Sequence, residues 1–291
     1  VDVVTFLESV IYRHSGTRAE AFAAAARGGL AASVELMETS TKSAVVTGFT
    51  VPTARGLHPE TDGPPGAAAL AAYLTTAGDC CLVTDEPNEA VCTAALSAYD
   101  PERNVDVVVA EAGDAEAVER QLRDRGTDSI IFVERLGPNR SGRYLSMRGV
   151  DLTEATAPLD RLIRAGDWVT IGVGDGGNEI GMGLISAADL AAVPLADSIH
   201  CVSSTDALIV GGTSNWAAWA LVAALDIARG GPTTPDALSA ELLTTCLDRM
   251  LAAGAVDGVS GEPGLTVDGF ELDIHHQMLV SIATSKEFDA A

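Results

Sequence analysis

Residues 174–183, GDGGNEIGMG, set two carboxylates, Asp175 and Glu179, and the carboxamide of Asn178 among five glycines, directly after an apolar run at 168–173. Glycine is favoured where the backbone takes positive φ or another group approaches closely, so a loop this rich in it reads as a place of binding or reaction. Two carboxylates four residues apart suit general acid and base work, or coordination of a divalent cation such as Mg²⁺ or Mn²⁺ by Asp175 and Glu179. They converge if Asn178 begins a helix. In a purely structural reading, Asp175 and Asn178 cap that helix. A second stretch, residues 60–66 (ETDGPPG), holds Glu60, Thr61 and Asp62 on backbone stiffened by Pro64 and Pro65. It can present these side chains to a ligand, or form a turn in which Thr61 or Asp62 caps a helix from Ala67.

Other groups are open to both functional and structural readings. Arg135, Arg140, Arg143 and Arg148 gather positive charge at 134–149, where a carboxylate substrate would find bidentate partners and surface acids would too. Gly172, Gly174 and Gly177 match GxGxxG, with Asp189 or Asp197 near the position of a ribose-binding acid. A pyrophosphate there would meet Asp175 and Glu179, which opposes an NAD-type reading. His275 and His276 fit no metal-ligand spacing and read as supporting or surface residues. Trp216 and Trp219 read as core, with Ser214 and Asn215 placed to reach a crevice.

The elements that must position these residues alternate. Two helices, 3–12 and 19–37, the second interrupted near Gly28 and Gly29, precede strand-like runs at 44–49, 80–84, 105–109, 129–133, 168–173 and 199–202. Helical periodicity marks 67–76, 87–98, 115–125, 159–163, 215–228 and 235–253, the last with Thr234 as cap, Pro235 in its first turn and Gly254 at its end. Short apolar strands separated by helices predict an α/β fold: an open, mostly parallel, Rossmann-like three-layer sheet with helices on both faces and helical additions at both termini. One domain is expected over 1–291, with N-terminal helices to 40, a core at 44–202 and a helical part from 211. Ligands of such sheets bind beyond the carboxyl ends of the strands, where both acidic loops fall.

Composition narrows the partners. The chain has 291 residues, 47% of them hydrophobic, and a formal charge of −23, which disfavours nucleic acid and anionic membranes and favours a small-molecule substrate. No apolar run reaches the length of a membrane span, and no signal-like N-terminus is present, so a cytoplasmic protein is expected. So acidic and lysine-poor a surface also suits a salt-rich cytoplasm. The five cysteines, Cys80, Cys81, Cys92, Cys201 and Cys246, show no paired spacing and read as buried thiols. A homo-oligomer is compatible with all of this.

Six motifs in order, TGF (47–49), ETDGPPGA (60–67), VTDE (83–86), MRG (147–149), GDGGNEIGMG and SNW (214–216), make the chain resemble the D-glutamate cyclase family, in the stand-alone form of its C-terminal-like domain. The resemblance covers about residues 44–276. It implies a hydro-lyase that interconverts D-glutamate and 5-oxo-D-proline, with no nucleotide. Under it, Asp175 and Glu179 share acid and base work or hold Mg²⁺ or Mn²⁺. Asn178 and the N–H groups of Gly176 and Gly177 stabilise an oxyanion, Arg148 anchors a carboxylate, and Asp62, with Glu60, Thr61 and Asn215 nearby, positions the substrate ammonium. An NAD-dependent oxidoreductase using 172–177 and a non-catalytic sensor of acidic metabolites are the competing classes.

Overall fold

The computed structural model describes residues 2–12, 22–111, 114–186, 188–192, 195–231 and 235–285. Helix α1 (Val3–Ile11) comes first, then helical residues 22–25 and α2 (Gly29–Leu36), the last two separated by a turn ending at Gly28, whose φ of +85° marks the interruption expected there; residues 13–21 lie outside the described set. Strand β1 (Lys42–Thr47) runs into a hairpin of β2 (Thr50–Thr53) and β3 (Gly56–Pro59), then α3 (Pro64–Leu74). The alternation continues through β4 (Asp79–Asp85), α4 (Glu89–Tyr99), β5 (Asp106–Ala110), α5 (Ala115–Arg125), β6 (Ser129–Val133), β7 (Val169–Gly174), the short α6 (Ala196–Ile199) and β8 (Ala207–Val210). Last come α7 (Ser214–Ala228), α8 (Ala240–Ala252), a hairpin of β9 (Thr266–Val267) and β10 (Phe270–Glu271), and α9 (Leu272–Ala283).

Six strands pair in parallel in the order β5-β4-β1-β6-β7-β8. Alternation along each strand feeds two cores: Val45, Leu82, Ile131 and Ile171 face α3, α4 and α7, with α8 packed outside them against α4, while Ala44, Val46, Val83 and Phe132 face α5 and the turn around Leu159 and Leu162. Both faces are therefore covered, which explains why the strands read as continuous apolar runs. α7 is buried along most of its length and forms the spine of the thicker layer, with Trp216 and Trp219 fully enclosed. Because the chain winds outward in both directions from β1 and β6, the order reverses between them, and a crevice opens there at the carboxyl ends.

Several expected elements differ. Residues 199–202 are not a strand: Cys201 makes one isolated bridge with Asn139, its N–H donates to the Gly177 carbonyl, and the sixth strand is Ala207–Val210 instead. The helix expected from Pro235 starts at Ala240, because Ser239 is extended and its hydroxyl accepts the Leu242 N–H; Thr234 lies outside the described residues. Residues Leu159–Arg164 form a 3-10 helix rather than an α-helix. Among the described residues, no helix is long and apolar enough to cross a membrane.

Candidate active site

The strand order brings the expected loops together. Glu134 follows β6 directly, Asp175 follows β7 directly, Glu60 and Asp62 follow the β2–β3 hairpin, and the N-terminus of α7 follows β8. A cavity of about 510 Å³ at this point is lined by Glu60, Glu134, Asp175, Glu179 and Asp268, with Arg148 as its one basic lining residue. That size falls in the usual range for small-molecule sites.

The glycine loop is shaped by its own carboxylate. No helix begins at Asn178; the chain turns, Glu179 makes an isolated bridge with Leu136, and a 3-10 turn follows at Met182–Leu184. Glu179 accepts the Gly176 and Gly177 N–H groups, each at 2.7 Å, so its carboxyl reaches Asp175 through this turn rather than through helical spacing. Those two N–H groups are thereby engaged and do not point free at an oxyanion. The missing helix also removes the dipole end on which GxGxxG would seat a pyrophosphate. Asp189 and Asp197 are exposed and lie away from the cavity lining.

Two helix ends explain ETDGPPG and SNW. Pro64 and Pro65 carry no N–H, so the first turn of α3 leaves few donors to satisfy, and the Asn215 Oδ1 accepts two of them, from Gly63 at 3.2 Å and Gly66 at 2.7 Å. In return Asp62 accepts the N–H groups of Ser214 at 2.8 Å and Asn215 at 3.0 Å, at the start of α7. Asp62 thus caps α7 and not the helix that follows it in sequence. Thr61 and Asn215, expected at the substrate, sit in this scaffold: the Thr61 hydroxyl donates to the Thr266 carbonyl, and the Asn215 amide donates to the Thr61 carbonyl.

Glu134 is held from three sides. Its backbone is left-handed (φ +45°), its carboxyl accepts the Ser214 hydroxyl, and Gly63 packs so close that a Cβ there would lie 2.6 Å from the Glu134 Cβ. A non-glycine residue in this conformation is strained, and such strain gathers at functional sites. Burial pushes the Glu134 carboxyl well above its ordinary pKa, and Glu179 and Asp62 push it further. Burial also raises Asp175 strongly, with Asp268 and Glu134 adding to it. Glu60 and Asp62 rise through burial and then Asp268, against which the α7 N–H groups pull Asp62 down.

One oxygen each from Glu134, Asp175 and Glu179 lies within 4.8 Å of the others. The set is all oxygen, which suits Mg²⁺ or Mn²⁺. Asn178 supports the fit: its amide nitrogen donates to the Leu145 carbonyl, while its buried Oδ1, beside Gly176 and Glu179, has no partner among the described residues.

Of the four arginines at 134–149, Arg148 alone lines the cavity; it is exposed and donates to the Val259 carbonyl at 2.7 Å. Arg135 points away, buried against Asp85 at 2.5 Å, and Arg143 pairs with Asp151 on the surface. Gly176 lines the cavity, whereas Gly177 packs toward Phe22. His275 is not a surface residue: it is buried, its Nδ1 accepts the Trp216 indole N–H at 2.8 Å, and burial pushes it down to about 4. All five cysteines are buried free thiols. Sequence reading missed Asp268 and left Glu134 unassigned. Asp268 sits in a two-residue turn, Asp268-Gly269, whose Asp-Gly pair between Val267 and Phe270 is a hairpin signal.

The family model described as D-glutamate cyclase-like, C-terminal, matches residues 7–283. The mitochondrial D-glutamate cyclase of Homo sapiens is 28% identical over 283 residues, an alignment covering 83% of this chain and 46% of the human protein. The chain thus spans about half the length of that relative.

Proposed function

We propose that this chain, which belongs to the D-glutamate cyclase-like C-terminal family, is a hydro-lyase that interconverts D-glutamate and 5-oxo-D-proline. The observation that carries the reading is the cavity itself, with five carboxylates inside and Arg148 at its mouth. An acidic interior attracts the amino group of the substrate, and a guanidinium at the rim pairs with its α-carboxylate. The γ-carboxyl then lies against Glu134, Asp175 and Glu179.

Ring closure forms a bond between the amine nitrogen and the γ-carboxyl carbon and breaks a carbon–oxygen bond, releasing water. The ammonium nitrogen must lose two protons, one before attack and one as the amide forms, and the departing carboxylate oxygen must gain two to leave as water. Glu179, fixed as an acceptor by Gly176 and Gly177, takes the proton from nitrogen. Glu134 and Asp175 are raised by burial and by neighbouring acids, so they keep protons at pH values where a solvated carboxyl has lost them. One of them protonates the departing oxygen, and the second proton shed by nitrogen completes the water. When bound on Glu134, Asp175 and Glu179, a Mg²⁺ or Mn²⁺ ion would polarise the γ-carboxyl in place of part of this proton transfer.

Incubating the purified chain with D-glutamate or L-glutamate, with and without Mn²⁺, and following 5-oxoproline by mass spectrometry tests the reading. The expected result is 5-oxoproline from D-glutamate without any nucleotide. Binding without turnover would identify a sensor instead, and a requirement for NAD would overturn the reading.

A further inference from the structure

We propose that the cavity binds a pair of divalent cations of the Mg²⁺ or Mn²⁺ type, one on Glu134, Asp175 and Glu179 and a second on Asp62, Asp175 and Asp268, with Asp175 shared between them. The inference rests on the reading of this cavity as a cation-assisted site, and not on which substrate it turns over.

The geometry of the second triad matches the first: Asp62, Asp175 and Asp268 each bring one carboxylate oxygen within 4.8 Å of the other two. They come from three separate segments, the exit of the β2–β3 hairpin, the end of β7 and the β9–β10 turn, so the fold and not a single loop assembles them. A carboxylate common to two oxygen-only triads is the arrangement of paired-cation hydrolytic and lyase-type centres, in which each ion steadies a different oxygen of the reacting group.

An independent observation lies just outside the triad. Glu60 is 6% exposed and lines the cavity, and its carboxyl meets no hydrogen-bond donor among the described residues. Its strongest neighbouring charges are Asp268 and Asp62, two members of the second triad. A carboxyl enclosed to this degree is costly without a partner, and among the described residues no arginine bonds to it: Arg135 is spent on Asp85, and Arg148 donates to the Val259 carbonyl. A single cation on Glu134, Asp175 and Glu179 would leave the enclosed Glu60 carboxyl without a counter-charge, whereas a second cation on Asp62, Asp175 and Asp268 sits beside it.

The test uses metal-free protein titrated with Mn²⁺ alone, with free Mn²⁺ followed by electron paramagnetic resonance and bound metal counted per chain. Two equivalents are expected in the native protein. Glu179→Gln should weaken one binding step, Asp268→Asn and Glu60→Gln the other, each by about 10- to 100-fold, and Asp175→Asn both. Asn tolerates the left-handed backbone at position 268, where φ is +52°. Glu60 and Asp268 lie on different segments, so misfolding of one variant, detected by circular dichroism, leaves the other to decide. One equivalent or fewer in the native protein would overturn the proposal and leave the Glu60 side to a substrate ammonium. So would two steps that Glu60→Gln and Asp268→Asn both leave unchanged. Two equivalents without 5-oxoproline formation would remove the proposed reaction and keep this site.

Discussion

Two buried polar regions lie side by side at the carboxyl end of the sheet, and consecutive residues enter them. Arg135 turns toward β4, where its guanidinium meets Asp85 and the carbonyls of Gly48 and Ala157. Asp85 also accepts the Ala157 N–H and the Asn88 amide, so its oxygens are well served. Burial is the largest influence and raises Asp85, but the Arg135 charge together with the hydrogen bonds from Arg135, Asn88 and Ala157 outweighs it, and the carboxyl falls below its ordinary value. Glu134 turns the other way, into a cavity where neighbouring acids add to the effect of burial instead of offsetting it. Both regions are enclosed, and they differ in charge balance. A compensated pair braces the crevice; an uncompensated cluster retains the capacity to take a proton, a cation or an ammonium.

The largest expected contrast comes from removing one charge on each side. Asp175→Asn should lower the rate of 5-oxoproline formation by about 10²- to 10⁴-fold. Its stability in urea should hold or rise by about 0.5–2 kcal/mol, since a like-charge contact is relieved. A loss of stability with activity intact would make the cavity scaffold. Arg135→Met should do the reverse, costing about 3–5 kcal/mol in urea denaturation because Asp85 is left buried and unpaired.

The same contrast predicts opposite pH dependences. Asp85 has a folded-state pKa below the unfolded value of about 3.9, so its contribution is present above that pH and is lost as pH falls through the folded value. Glu60, Asp62, Glu134 and Asp175 have folded-state values above the unfolded ones of about 3.9–4.3. The native state then holds more protons than the unfolded chain, and stability declines as pH rises through that window. Denaturation of metal-free protein between about pH 4 and 8 should show the decline, and saturating Mn²⁺ should flatten it. A flat profile without metal would argue that the cavity acids are compensated after all.

The smallest effect is expected at the rim. Arg148 is exposed and, among the described residues, bonded only to a backbone carbonyl, so Arg148→Ala should leave stability within about 0.5 kcal/mol. It should raise KM for D-glutamate about tenfold, with kcat changed less, if it anchors the α-carboxylate. An unchanged KM would assign the substrate carboxylate to another group.

How far the sequence was legible depended on how local the controlling interaction was. Residues 115–125 were read as helix with the observed bounds, because Asp114 caps the start and Gly126, with φ +71°, ends it. Strand 129–133 was equally plain. The sixth strand was misplaced because residues 199–202 and Ala207–Val210 are both short and apolar, and only pairing with β7 separates them. Asp175, Glu179, Glu60 and Arg148 were found as cavity residues from loop chemistry. Arg135 was grouped with Arg148 by charge alone, yet its partner lies 50 positions away at Asp85.

The amino-acid order therefore determined the elements, the acidic loops and their position after the strands, since these follow from short-range periodicity, turn residues and the prolines of ETDGPPG. Which carboxylates meet was decided only in three dimensions. The strand order sets β1, β6 and β7 side by side, α7 and α3 exchange caps through Asp62 and Asn215, and the β9–β10 turn delivers Asp268 from the far end of the chain. Whether a buried charge is neutralised depends on the groups within a few ångströms of it, and those neighbours are set by packing, not by sequence distance.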